Sequence, residues 1–250
     1  GWDVLLRAWA KAFGPGDEVT LLLRSYPPNA TDGAGVQAEI ERRIDRFLGE
    51  QLGLRRDQVA PIVVLGEQVP EGDMPRLFAT ARAYVAPSRG EGWGRPQMEA
   101  MACGLPVIAT RWSGSLEFMN DQNSLLLDLE RLVHIDDRAE FPSYRGQRWA
   151  EPSADHLVEL LRRVVERPED AAALGRRARL DVEQRWSWDA AAAVAAERLS
   201  SIAAGLGRHR AASAPEPLAV RWEGSQFVHH SLALVNREIC LGLVEKGHEL

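Results

Sequence analysis

The feature that most constrains this chain is an alternation of short, almost unbroken apolar runs of strand length with charged blocks of helical periodicity. The runs are Val19 to Leu23, Ile62 to Leu65, Ala83 to Ala86, Leu105 to Ala109 and Ser124 to Leu127. Between the first two lies Val36 to Leu54, where Ile40, Ile44, Phe47, Leu48 and Leu52 share one face and the pattern stops near Gly53. Met74 to Ala81 reads as a short helix, and a brief one fits Ser115 to Met119. Strands without a polar face must be covered on both sides. The pattern therefore predicts an α/β fold, a Rossmann-like parallel sheet with helices on both faces. Such sheets take ligands beyond the carboxyl ends of their strands, which directs attention to the loops after Leu65, Ala86 and Ala109.

Outside this core the organisation changes. Trp2, Leu5, Leu6, Trp9 and Phe13 recur at helical spacing, so the sequence opens inside an amphipathic helix and reads as a cut end. Residues 130–152 mix charge with Pro142, Tyr144 and Gly146 without clear periodicity and are expected to form a long excursion. Three helices without intervening strands follow: Ser153 to Glu166 with a Ser153 cap, Pro168 to Gln184, and Trp188 to Ala204 after a Ser187 cap. Trp186 and Trp188 are expected to pack as core. Residues 205–217, rich in Gly, Ala, Ser, Pro and Arg, read as a linker between a domain at 1–204 and a second unit at 218–250. One strand and one helix cannot bury a core of their own, so that second unit is expected to be incomplete.

A net charge of −6 argues against a duplex-DNA footprint and so against a nucleic-acid partner, and no apolar stretch approaches the ~18 residues of a membrane span. Cys103 and Cys240 lie far apart in apolar settings, which favours reduced thiols and a cytoplasmic location. No signal-peptide pattern opens the chain. His229 and His230 cannot face one way on a strand and have no carboxylate at ligand spacing, and His134 with Asp136 and Asp137 reads as a charged surface turn, so no metal is expected.

The window Pro87 to Pro106 carries the chemistry: a strand end, a glycine-rich loop with Gly90, Gly92 and Gly94, a short helix opening at Pro96, then Gly104 and Pro106. The glycines allow left-handed backbone and close approach to a ligand. A helix N-terminus entered this way favours a phosphate through its unpaired N–H groups and its dipole. Glu91 lies in the loop and Glu99 about one turn inside the helix, seven residues apart. Carboxylates beside an anion make sense as acceptors for sugar and ribose hydroxyls. Spacing alone leaves a plainer reading open, in which Glu91 is a solvated loop residue and Glu99 a carboxylate favoured by the helix dipole.

The same window resembles the retaining glycosyltransferases of the GT-B fold, specifically family 4, whose signature sets Glu-x7-Glu in a run like Pro-Ser-x-x-Glu-Gly-x-Gly followed by Glu-Ala-Met-Ala-x-Gly-x-Pro-Val. Pro87 to Val107 matches it throughout, and the flanking elements to about Leu199 resemble the C-terminal, donor-binding domain of such enzymes. The resemblance implies that Glu91 is the candidate catalytic residue, meeting hydroxyls of the donor sugar. It implies a donor-binding set of Gly90, Gly92, Trp93, Gly94, Arg95 and Glu99, with Glu99 on the ribose, joined by a weaker match at Ser113, Gly114 and Glu117. Arg95 stands where many members carry an apolar residue, and both phosphate contact and simple solvation remain open for it. The implied substrates are a nucleotide-diphosphate sugar and an acceptor glycan or other hydroxyl acceptor held by a separate N-terminal domain. The resemblance implies transfer with retention and without a cofactor.

Two departures qualify it. The family's donor domain carries an Arg and a Lys that neutralise the diphosphate, the Lys lying just before a helix start matched by Gly1 to Leu6; the chain begins one position too late for it. Lys11 and Lys246 are no obvious substitutes, and Arg24, Arg89, Arg95 and Arg111 compensate only in part, so weak donor affinity and negligible transfer by this chain alone are expected. Residues 218–250 resemble the start of another GT-B N-terminal domain. The alternatives are a nucleotide-sugar 2-epimerase of the same architecture and a non-catalytic, degenerate module.

Overall fold

The computed structural model describes residues 1–25, 33–135, 144–207 and 239–245. Contacts divide the chain into two compact units, Gly1–Leu180 and Asp181–Leu250. The expected strand after Leu218, the start of the expected helix, the greater part of the expected linker, and His229, His230, Asp136 and Asp137 lie outside the described residues, while 239–245 of that helix are described.

The first unit realises the alternation. Helix α1 (Trp2–Ala12) leads to β1 (Leu21–Arg24) and α2 (Gly33–Phe47), which passes into a π-helical turn at Leu48–Leu52 and ends at Gly53 with φ +66°. Then come β2 (Ile62–Leu65), α3 (Met74–Ala79), β3 (Tyr84–Ala86), α4 (Arg95–Ala102), β4 (Val107–Thr110), a 3-10 turn at Gly114–Glu117 and β5 (Leu125–Leu127). All these strands pair in parallel, but in two ladders rather than the single one expected: β1 with β2, and β3-β4-β5. Strand β3 pairs with β4 and with neither β1 nor β2.

Burial follows the ladders. All four residues of β4, the middle strand of three, are buried, as the unbroken apolar run requires. In β1 and β2 the register partners Leu22 and Val63 are exposed, so this pair alternates instead of being buried on both faces. Its inner side chains, Leu21, Ile62 and Val64, join a core with α1, Ile44 of α2 and the apolar stripe of α5 (Ala154–Glu166).

Helices α1 and α5 pack because each presents apolar residues on one face: Leu5, Leu6 and Trp9 from the first, Leu157, Leu161 and Val164 from the second. Polar contacts fix the join. The Arg162 guanidinium donates to the carbonyls of Lys11 and Ala12 at 3.4 Å each, answering orphan acceptors at the C-terminus of α1. Trp2 is largely exposed and stands edge-on to Phe47 with centroids 5.2 Å apart.

The described residues of the excursion at 130–152 include two strands. Strands β6 (Leu129–His134) and β7 (Arg148–Pro152) form an antiparallel ribbon with a register shift near Leu129. Charged residues interrupt the two-residue alternation in β6, and only partial cover on its face explains why no clean period showed in the sequence. Ser153 caps α5 through the His156 amide, as expected. Helix α6 (Pro168–Arg185) starts at the anticipated proline. In the second unit, α7 (Trp188–Gly207) is capped by Ser187, which accepts from Ala190 at 3.2 Å, and runs three residues beyond the expected end. Trp188 is exposed and Trp186 only half-buried, so neither packs as the core side chain expected. A further helical segment at 239–245 buries Cys240 and Leu243.

Candidate functional site

The loop between β3 and α4 leaves the carboxyl end of the three-stranded ladder, where parallel sheets present ligands. Of its three glycines only Gly94 has a left-handed backbone, φ +92°; Gly90 and Gly92 do not, contrary to expectation. One such turn suffices to swing the chain into α4, for which Gly94 is the N-cap. The first turn of α4 has Pro96 in it, no side-chain cap and no acidic residue. Its amides therefore lack the local partner that Ser, Thr or Asp supplies elsewhere.

Glu91 is fixed at several points. Its backbone N–H donates to Ser113 Oγ at 2.8 Å, and its carbonyl accepts from the Gly114 N–H at 3.1 Å. Its carboxylate Oε1 accepts from Ser88 Oγ at 2.7 Å and from Gln97 Nε2 at 3.0 Å. Ser113 has φ +68°, and it is the one non-glycine in left-handed space among the described residues, a strained state held by these bonds. Gly114 follows it because the approach is so close: a Cβ there would collide with the carbonyl of Gly92. The loop after β4 is thus laced directly onto the loop after β3.

Glu99 sits half-buried one turn into α4, and Arg95 Nη2 donates to its Oε1 at 3.1 Å. Arg95 also stands 4.0 Å from Glu71. An arginine preceding a glutamate by four residues is the less favourable order on a helix, and it adds positive charge at the positive end of the dipole. Trp93 is exposed and lies tilted against Phe118 with centroids 5.4 Å apart, while Glu117 is exposed at the end of the 3-10 turn.

Tyr84 reports on both acids. Burial pushes its phenol up to about 12, and the charges of Glu91 and Glu99 push the same way while Arg24 opposes them. Both carboxylates therefore lie within electrostatic reach of one hydroxyl.

Two features escaped the sequence. Gln97 is 1% exposed, and its Oε1 has no hydrogen-bond partner. A buried amide at a helical position reads as core filler, and no local pattern marks it. Arg89 donates to both oxygens of Asp3 at 2.8 and 2.7 Å and to both of Glu151 at 3.1 and 3.0 Å, with its guanidinium 5.7 Å from the Trp149 ring. Hydrogen bonds and charge from Arg89 outweigh desolvation and hold Asp3 down at about 2. The Arg89 carbonyl accepts from Ala150 N–H at 3.0 Å, so β7 also braces the loop. Arg111 is likewise engaged, with Asp121 and Asp128.

Among the described residues no group of three or more His, Cys, Asp or Glu could hold a metal ion, and no helix is long and apolar enough to cross a membrane.

Comparisons with known proteins bear on the family and the fold. The chain is 33% identical over 188 residues to D-inositol 3-phosphate glycosyltransferase of Saccharomonospora viridis, covering 74% of this chain and 36% of that enzyme. Sucrose-phosphate synthase from Thermosynechococcus elongatus superposes with a TM-score of 0.54 at 26% identity, over 82% of this chain and 43% of that one. HepE of Anabaena, solved with UDP and glucose, gives a TM-score of 0.54 at 21% identity over 80% and 45%, a likeness of fold. The chain thus spans less than half the length of each. Residues 1–141 match the family model described as glycosyl transferases group 1. With more than half of its residues in that match and a GT-B glycosyltransferase fold around it, the chain belongs to the group 1 glycosyl transferases.

Proposed function

We propose that the first unit is the nucleotide-sugar binding domain of a retaining glycosyltransferase, which transfers a sugar to an acceptor hydroxyl. The observation that carries this reading is an uncapped helix N-terminus with Glu99 one turn inside it and Glu91 tied to the same helix through Gln97. In this reading the amides near Gly92 to Arg95 hold the diphosphate, and Arg95 finds the anion its place at the helix start calls for. Glu99 accepts from the ribose, and Glu91 from the sugar hydroxyls. Trp93, Ser113, Gly114 and Glu117 line the approach. Catalysis is then electrostatic: the helix end stabilises the departing diphosphate while an oxocarbenium-like centre develops at the anomeric carbon.

The bound UDP and glucose of HepE make uridine nucleotides the first probes. Arg89 and Arg111 are committed to carboxylates, which leaves little cationic charge for a diphosphate and supports weak affinity. NMR titration with UDP and UDP-glucose should shift the amides of residues 92–95 with a Kd weaker than about 100 μM. The Glu99→Ala variant should bind both ligands more weakly. Shifts confined to other regions would overturn the site, and low-micromolar binding would overturn the account of its charge.

A further inference from the structure

We propose that Gln97 is a positioning residue for Glu91: with Ser88 it occupies one carboxylate oxygen, so that the other is presented to a single hydroxyl of the donor sugar. The inference rests on the sugar-binding reading of the site and deepens it. An ionised carboxylate only accepts, so the Gln97 amide must turn its Nε2 toward Glu91, and the 3.0 Å contact has that sense. Ser88 supplies the second donor at 2.7 Å, and together they account for both acceptor directions of Oε1. No contact among the described residues engages Oε2 in the same way.

The backbone of Glu91 is pinned by Ser113 and Gly114, so its carboxylate cannot follow a ligand by moving the loop. Gln97 is itself held at the third position of α4, folded back over the N-cap: a Cβ on Gly94 would stand 3.1 Å from its Oε1 and 3.3 Å from the Ser115 Cβ. A methionine would fill much the same volume without burying an acceptor that finds no partner. The amide carries that burden, and among the described residues its side-chain hydrogen bond reaches the acid that the sugar-binding reading places on the donor.

The test uses the full chain. In a glutamine-labelled sample the Gln97 side-chain amide, identified by its loss in Gln97→Met, should exchange at least about tenfold more slowly than that of exposed Gln122, and Glu91→Ala should abolish the protection. In titrations, Gln97→Met and Ser88→Ala should each weaken UDP-glucose binding by about tenfold while leaving UDP within about twofold, and Ser88→Thr should restore it. An unprotected amide, or equal losses for UDP and UDP-glucose, or no loss at all, would overturn the proposal. Wild-type chain that binds neither ligand would overturn the proposed function and the sugar-orienting role with it, while the exchange measurement still decides whether Gln97 clamps Glu91.

Discussion

Glu91 illustrates how much a single side chain owes to its neighbours. Its candidate role is what the family resemblance implies, and what the fold adds is four hydrogen bonds that remove its freedom. Gly114 is where that restraint is most exposed to change. A methyl group there meets the carbonyl of Gly92, so Gly114→Ala must push the turn away from the loop and break the Ser113 and Gly114 bonds to Glu91. We expect a loss of roughly 1–3 kcal/mol in urea unfolding, together with loss of UDP-glucose binding. Gly94 was readable as a turn glycine because the loop-to-helix transition demands one; Gly114 was readable only through family likeness, since its need arises from a backbone 22 positions away in sequence.

At the scale of elements, local pattern carried the reading furthest. The boundaries of β2 and α5 follow from an apolar run ended by Gly66 and from a serine cap, both of which are chemistry within a few residues. The β6-β7 ribbon was opaque for the opposite reason: its pairing joins residues across a long connection, and charges dilute its alternation. The division of the parallel strands into two ladders likewise depends on which strands meet, not on what each one is. The stripe of α5 gives the cleanest check on the packing. Leu157 is fully buried against α1 and the sheet, and Leu157→Ala should destabilise the first unit by about 2–5 kcal/mol, read from the urea midpoint.

For the molecule as a whole, the acid sensitivity of folding should reflect Asp3. Its carboxyl titrates at about 2 in the folded chain against an ordinary value of 3.8, so it binds a proton less readily folded than unfolded. Stability from this group is therefore complete above the unfolded value and is lost as pH falls from about 4 toward 2. The carboxylate is about a third exposed, which discounts the effect to about 1 kcal/mol. Asp3→Asn should lower stability by that amount at pH 7 and flatten the slope of stability against pH below about 4, measured by urea titration at several pH values.

Arg89, 18% exposed, has a wider consequence than that slope. Its two acidic partners lie 86 and 62 positions away, so one guanidinium ties the opening turn of α1, the glycine loop and the last strand of the ribbon into a single arrangement. Damage at any of the three contacts reaches the other two, and substitutions at Asp3, Arg89 and Glu151 will not combine as independent sums. The glycine loop is thereby governed from segments far from it in sequence.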